Sequence, residues 1–423
     1  MLNISLPPAV LFVLRDGLFL GPLSLTVLLM NRLGVGNRRR VGALFSLLYG
    51  LGLVFVGHVA AIRLGMWSYG GASMQLLGFP ADIWFAGALL WGPVLFLAFP
   101  RTSPWILVLP CIALNGLVLP ALIPFVMPGR FWFPGVVLVF LTAHLPALYL
   151  ARWTSDDTNL PLRAFLLAIG HGCVAFFVLP TVIMQAMGGD WSALTERPAW
   201  ILAPAGLVMV LLCVIGLSAV QMFALHGGGT PIPLDPTKRL VRTGLYAYVS
   251  NSMQLCTASG WLVIGAVLAN IWVACAAVMA VCFVLGMVRW HHRQDLEIRF
   301  PQGWPEYRAH VPEWWPRWRP WIPIASKLRY DPTRPFHRCL ISGLAQLGAQ
   351  GLDLRPEAGC LCYQEANETR EFRGLAAMGK ALNHGNLVTA ILGSALLLIV
   401  LPTGYLARLV AASLTCVQAR QRA

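Results

Sequence analysis

Long apolar stretches with few charges decide what this chain of 423 residues can fold into. Each stretch is close to the roughly 20 residues that a helix needs to cross a bilayer core. Only 11% of the residues are charged, and the mean hydropathy is +0.68. Soluble domains carry about 25% charged residues, so the pattern predicts an all-α polytopic membrane protein with about nine transmembrane helices. The predicted spans are 9–30, 42–62, 82–99, 104–127, 132–150, 164–186, 199–225, 252–269 and 271–289.

The first apolar stretch is predicted to be a retained helix rather than a signal peptide. It lacks a basic start and is interrupted by Arg15 and Asp16. Lys and Arg are concentrated in alternate loops, and by the positive-inside rule this places the N-terminus outside. We therefore expect an integral protein of a bacterial cytoplasmic membrane, with both ends of the stretch 226–323 in the cytoplasm.

The formal net charge of +14 would suggest nucleic acid if the protein were soluble. Here the cations lie in loops beside apolar spans, where anionic lipid headgroups are the expected partners. After Trp290 arginines alternate with tryptophans, a composition that anchors a segment at a membrane interface. We predict no nucleic-acid partner.

The sequence predicts three parts: an N-terminal bundle at 1–225, the stretch 226–323 and a tail at 324–423. The stretch 226–323 is the part most suggestive of a ligand site. The glycines at 227–229 allow backbone conformations closed to other residues and a close approach to a ligand. Three prolines then prevent the loop from forming a helix. An apolar hairpin follows, split near Asn270, and its two polar ends should meet on one side of the membrane. A structured connector at the membrane surface is an equal alternative for the glycine run.

The order of motifs in 226–323 resembles the isoprenylcysteine carboxyl methyltransferase and phospholipid methyltransferase superfamily. The matching segments are GGGTPIPLDPTKRLVRTGLYAYVSNSM, the hairpin, and LEIRF followed by EYRAHVP. The resemblance implies S-adenosyl-L-methionine as cofactor and a lipid, isoprenoid or isoprenylcysteine-like acceptor that enters from the bilayer. By position it implies catalytic roles for Tyr246 and Asn251. The implied cofactor-binding residues are Gly244, Tyr248, Leu255, Asp295 and Glu297.

Several positions depart from the family's pattern. Asn251 stands where the family has His, which it can replace as a hydrogen-bond partner but not as a titrating group. Ser252 stands at the family's Pro, and the family's acidic pair is displaced, with Arg293 and Gln294 near its place. A non-catalytic membrane protein that retains the methyltransferase fold is therefore an alternative.

Ionisable residues in the N-terminal bundle offer a second alternative, an isoprenoid-modifying enzyme with its site there. Such groups at membrane depth are costly and often functional. A histidine that is hydrogen-bonded inside the bundle is nevertheless the commoner outcome. The residues concerned are Asp16, His58, Asp82, His144 and His171.

The tail has a soluble composition as far as the apolar run 387–401, which fits either a tenth span or a helix packed on a small tail domain. Its segment YDPTRPFHRC resembles the start of the small thioredoxin-like thiol–disulfide oxidoreductases named for an Asp-Cys-Cys motif. Arg334 and His337 occupy the two cysteine positions. Dithiol exchange needs both thiols, so we predict a degenerate tail, with α/β structure as one possibility and no redox activity. The ten cysteines have neither disulfide nor zinc-type spacing, and no metal site is predicted.

Overall fold

A computed structural model describes residues 8–32, 34–70, 74–119, 125–230, 232, 234–291, 295–366 and 370–402. The chain divides into two compact units. The first comprises Met1–Arg197, Leu234–Pro236 and Ile264–Val273, and the second comprises Pro198–Pro233, Thr237–Val263 and Ala274–Ala423. Most of the methyltransferase-like stretch therefore belongs to the same unit as the tail.

The structure is 68% helical, and five of the described helices are long and apolar enough to cross a membrane. This supports an integral membrane protein. The five are Asn37–Arg63, Ala81–Ala98, Trp132–Ser155, Leu160–Met187 and Ala199–Gly227. Helices also occupy the other predicted spans, at Pro8–Arg32, Pro104–Val118, Ser252–Leu268 and Ile271–Gly286, and the last three are shorter. The count of nine transmembrane helices is not confirmed.

The Asn37–Arg63 helix packs closely against its neighbours in the first unit. A Cβ atom at Gly42 would lie 2.5 Å from the Ala151 carbonyl oxygen, and one at Gly52 would lie 2.8 Å from that of Gly170. Small residues at helix contacts let backbones approach in this way in membrane bundles.

Four short strands lie between the helices of the first unit: β1 (Trp67–Tyr69), β2 (Gln75–Leu76), β3 (Phe79–Pro80) and β4 (Val126–Pro128). Strand β1 pairs with β4, and β2 pairs with β3.

The apolar hairpin turns at Asn270, where the sequence predicts the split. The Asn270 side-chain oxygen accepts hydrogen bonds from the backbone N–H groups of Trp272 and Val273, both at 3.1 Å. Its amide nitrogen donates to the Gly188 carbonyl at 2.8 Å. This cap begins the second helix, and the preceding residue Ala269 has a left-handed φ of 51° that ends the first.

The tail is an α/β region with its own hydrophobic core. Strands β5 (Ser326–Tyr330), β6 (Leu352–Pro356), β7 (Leu361–Gln364) and β8 (Glu371–Arg373) form a sheet in the order β6-β5-β7-β8. β5 and β6 are parallel because the Pro335–Gln346 helix connects them, whereas the other two pairings are antiparallel.

The apolar run at the end of the tail forms the helix Leu387–Pro402. It crosses the helix Leu375–Leu382 at two glycines, since a Cβ atom at Gly393 would lie 2.4 Å from the Gly379 carbonyl oxygen. Leu397 is fully buried in the core of the tail. One face of this helix therefore packs on the tail domain.

Candidate functional site

Gly244 begins the short 3-10 helix Gly244–Ala247, which holds the predicted catalytic Tyr246. Gly244 has a φ of +61°, and a Cβ atom there would lie 3.1 Å from the Met222 sulfur. Both the backbone conformation and the space favour glycine. By contrast, Gly227 of the glycine run packs against its own loop, because a Cβ atom there would lie 2.5 Å from the Thr237 methyl carbon.

Two tyrosine hydroxyls fix the segment around Tyr246. The Tyr307 hydroxyl donates to the Tyr246 carbonyl at 2.8 Å, and the Tyr248 hydroxyl donates to the Asn383 carbonyl at 2.9 Å. Both tyrosine side chains are fully buried. The hydroxyl of Tyr248, a predicted cofactor-binding residue, thus serves to attach the segment to the tail.

Three side chains in and after the 3-10 helix, Tyr246, Asn251 and Ser252, carry buried polar atoms that a ligand could satisfy. The Tyr246 hydroxyl, the Asn251 amide nitrogen and the Ser252 hydroxyl are buried without a hydrogen bond of good geometry to any described residue. Burial raises the pKa of Tyr246, and the neighbouring Ser252 hydroxyl offsets only part of that rise. Buried polar groups in native proteins are nearly always paired, so this group calls for a functional explanation.

The other predicted cofactor-binding residues are placed differently. Asp295 is paired with Arg299 at 2.6 Å, and Glu297 is exposed on the single turn Glu297–Arg299. Leu255 lies in the first turn of the Ser252–Leu268 helix, where its backbone N–H donates to the Asn251 carbonyl at 2.9 Å. None of the three lines the cavity described next. Residues 293 and 294, near the place of the family's acidic pair, lie outside the described residues.

A cavity of about 220 Å³ lies within the second unit, and Gly244 is the predicted site residue that lines it. One part of its wall comes from the predicted cofactor loop and another from the tail. The polar lining residues include His226, Arg239, Arg242, Thr243, Tyr363, Glu365, Lys380, Asn383 and His384, and the apolar ones include Leu240, Ile322 and Ile324.

Three buried side chains meet in the wall of this cavity and are here named the Lys–His–Glu cluster: His226, Glu365 and Lys380. The Nε2 atom of His226 lies 2.7 Å from the Lys380 ammonium and 2.7 Å from the Glu365 carboxylate. The ammonium and carboxylate are 3.5 Å apart. The exposed fraction is 6% for His226, 7% for Glu365 and 2% for Lys380. Burial of this depth is rare for Lys and Glu unless they are paired.

The electrostatics keep Glu365 ionised. Burial alone would raise the pKa of its carboxyl, but the Lys380 ammonium and the hydrogen bond from His226 outweigh burial and hold the pKa below its usual range. His384 is a neutral neighbour. Its Nδ1–H donates to the Gln350 carbonyl at 2.8 Å, its Nε2 lies 2.9 Å from the Tyr363 hydroxyl, and burial lowers its pKa to about 4.

Sequence reasoning missed most of this cavity. His226 begins the stretch 226–323, but Glu365, Lys380, Asn383 and His384 lie in the tail, which the sequence predicts to be degenerate. The sequence holds one slight indication of these residues. Lys380 lies inside the apolar helix Leu375–Leu382, and Asn383 and His384 come directly after that helix.

Arg15, Asp82 and His58 of the N-terminal bundle are engaged within it. Arg15 pairs with Asp82 at 2.9 Å. His58 lies 2.7 Å from the Tyr69 hydroxyl and stacks on Phe79 at 4.4 Å between ring centroids. Among the described residues, no group of three or more His, Cys, Asp or Glu could hold a metal ion. A structural role explains these contacts.

When the chain was compared with known proteins, no family model, no curated protein and no solved structure matched it.

Proposed function

We propose that this chain is an integral membrane methyltransferase that uses S-adenosyl-L-methionine to methylate a lipophilic acceptor. The observation that carries the proposal is the group of buried, unsatisfied polar atoms on Tyr246, Asn251 and Ser252. These positions fall in the segment LYAYVSNSM, which resembles the family's motif. A ligand with hydrogen-bonding groups would satisfy them.

Some of the polar groups of the cofactor find suitable hydrogen-bond partners among these residues. Its ribose hydroxyls, amino group and carboxylate can pair with the Tyr246 and Ser252 hydroxyls and the Asn251 amide. Gly244 lets the chain approach it closely. Asp295 is already paired with Arg299, so it is a poorer cofactor ligand than the resemblance implies.

Bound there, S-adenosyl-L-methionine would supply the methyl group as part of a sulfonium. The chain's own contribution is to position the reactants in line and to exclude water. Asn251 does not titrate, and burial keeps Tyr246 protonated, so neither serves as a general base. The site therefore suits an acceptor that is already ionised near neutral pH, such as a carboxylate, better than one that must lose a proton.

Calorimetry with S-adenosyl-L-methionine and the full chain in detergent tests this proposal. We expect saturable binding with a dissociation constant between about 1 µM and 1 mM, the range in which KM values of enzymes usually fall. Lipid extracts from cells with and without the protein are then compared by mass spectrometry, and a species heavier by one methylene should require the protein. An absence of cofactor binding would favour the non-catalytic alternative.

A variant in the N-terminal bundle tests the other alternative, an isoprenoid-modifying site in that bundle. Asp82→Asn breaks the Arg15–Asp82 pair without touching the proposed site. If this change abolished product formation while changes at Tyr246 and Asn251 did not, an isoprenoid-modifying site in the bundle would be the better explanation.

A further inference from the structure

We propose that the tail is seated in the bilayer through one face of the helix Leu387–Pro402, and that lipid acyl chains cover this face. At 1.5 Å per residue the described helix is about 24 Å long, which is less than a hydrocarbon core of about 30 Å. As described, it reaches into the bilayer without crossing it. This placement of the tail does not depend on methyl transfer.

The face concerned is apolar along the length of the helix and is here named the outer face: Val388, Leu392, Ala395 and Ile399. Three of these side chains are more than half exposed, and Ala395 is partly exposed. Their spacing of four, three and four residues places them on one side of a helix. The whole segment Leu387–Pro402 contains no charged residue. Charged and polar side chains normally cover a helix face in water, whereas a helix that is apolar all round is buried in protein or in lipid.

The opposite face of the helix is occupied by protein. Ala390 and Leu397 are fully buried there. At the start of the helix, the Thr389 backbone N–H donates to the Asn386 side-chain oxygen at 3.0 Å, and the Asn386 N–H donates to the Thr389 hydroxyl at 2.9 Å. This reciprocal cap satisfies the polar groups of the first turn. The outer face is therefore the side left for lipid.

Two attachments of the helix indicate that lipid covers its outer face. The Leu387 backbone N–H donates to the Trp318 carbonyl at 3.0 Å, and the Trp318 side chain is 59% exposed. Exposed tryptophans beside apolar helices are typical of a membrane interface. Further along, the Leu397 carbonyl accepts a hydrogen bond from the Gln221 amide at 3.4 Å, and Gln221 belongs to the candidate membrane span Ala199–Gly227. The helix is thus held between two elements that are expected at the membrane.

Photo-crosslinking from the outer face tests this placement. Benzoylphenylalanine replaces Leu392 in the full chain, the protein is placed in phosphatidylcholine nanodiscs, and illumination joins the ketone carbon to a nearby C–H carbon. We expect the mass of the chain to rise by that of one phospholipid. Leu375 is the matched control position, because it is 52% exposed against 58% for Leu392 but lies two residues after Arg373, whose side chain is 80% exposed. No lipid adduct is expected there.

Three results would overturn the proposal. A crosslinked dimer without a lipid adduct would mean that a second copy of the chain covers the outer face. No adduct of either kind would mean that the face lies in water, and equal lipid adducts at Leu392 and Leu375 would mean that the contact is not selective. Val388 supplies a second position on the same face, so the test remains decisive if the change at Leu392 prevents folding.

A buried charge gives an independent measurement. Leu392→Asp should shift the unfolding equilibrium in phosphatidylcholine bicelles by about tenfold or more, because a carboxylate is costly in hydrocarbon. Leu375→Asp should change it by no more than about twofold, as is usual for a surface substitution in water. Denaturation with sodium dodecyl sulfate compares the two variants. An equally small effect of both would contradict a lipid-covered outer face.

Discussion

Tyr246→Phe is expected to lower methyl transfer by about tenfold to a hundredfold without lowering the stability of the protein. The hydroxyl that is removed has no hydrogen bond of good geometry to any described residue, and its only contribution among the described residues is a weak interaction with the neighbouring Ser252 hydroxyl. Removing an unsatisfied buried polar atom should leave the free energy of unfolding unchanged or raise it by up to about 1 kcal/mol. Activity is followed by transfer of labelled methyl groups to lipid extract, and stability by thermal unfolding in detergent.

Tyr49→Phe is the matched control. Tyr49 is also buried, but its hydroxyl donates to the Thr142 carbonyl at 3.0 Å in the first unit. Its loss should cost about 1 kcal/mol of stability and leave methyl transfer unchanged. A loss of stability in Tyr49→Phe without one in Tyr246→Phe distinguishes a hydroxyl kept for the fold from one kept for a ligand. A Tyr246→Phe protein with wild-type activity would remove the main support for the proposed site.

The sequence predicted local features well, because they depend on residues close together in the chain. Apolar length located the helices, and Asn270 marked the turn of the hairpin, where its side chain caps the second helix. Membrane crossing is a harder prediction, since Pro104–Val118 and Ser252–Leu268 are helical but shorter than the roughly 20 residues that a crossing needs.

The candidate site was predictable only in part, because its other half depends on distant contacts. His226 lies 139 positions before Glu365 and 154 before Lys380, and no local pattern links such residues. Asp295 is a different case: its sequence position predicts a cofactor ligand, and the structure adds that its i,i+4 neighbour Arg299 pairs with it. Spacing alone could not show which carboxylates are already neutralised.

A buried ion-pair network in the first unit is expected to contribute strongly to the stability of the protein. The Arg163 side chain is fully buried and pairs with Asp235, which is 8% exposed, and with Asp157 at 3.0 Å. Arg38 completes the network by pairing with both aspartates, at 2.7 Å to Asp235. Asp235 belongs to Leu234–Pro236, the piece of the proline-rich loop that is part of the first unit.

Asp235→Asn is expected to destabilise the protein by about 3–5 kcal/mol, because it leaves the charge of Arg163 buried beside a single, partly exposed carboxylate. Asp157→Asn should cost no more than about 1 kcal/mol, since Asp157 is 46% exposed and water compensates for the lost charge. Asn also tolerates the left-handed φ of 51° at that position. The free energy of unfolding, measured by denaturation of detergent-solubilised protein, compares the two variants. Equal losses in both would mean that burial does not set the strength of this network.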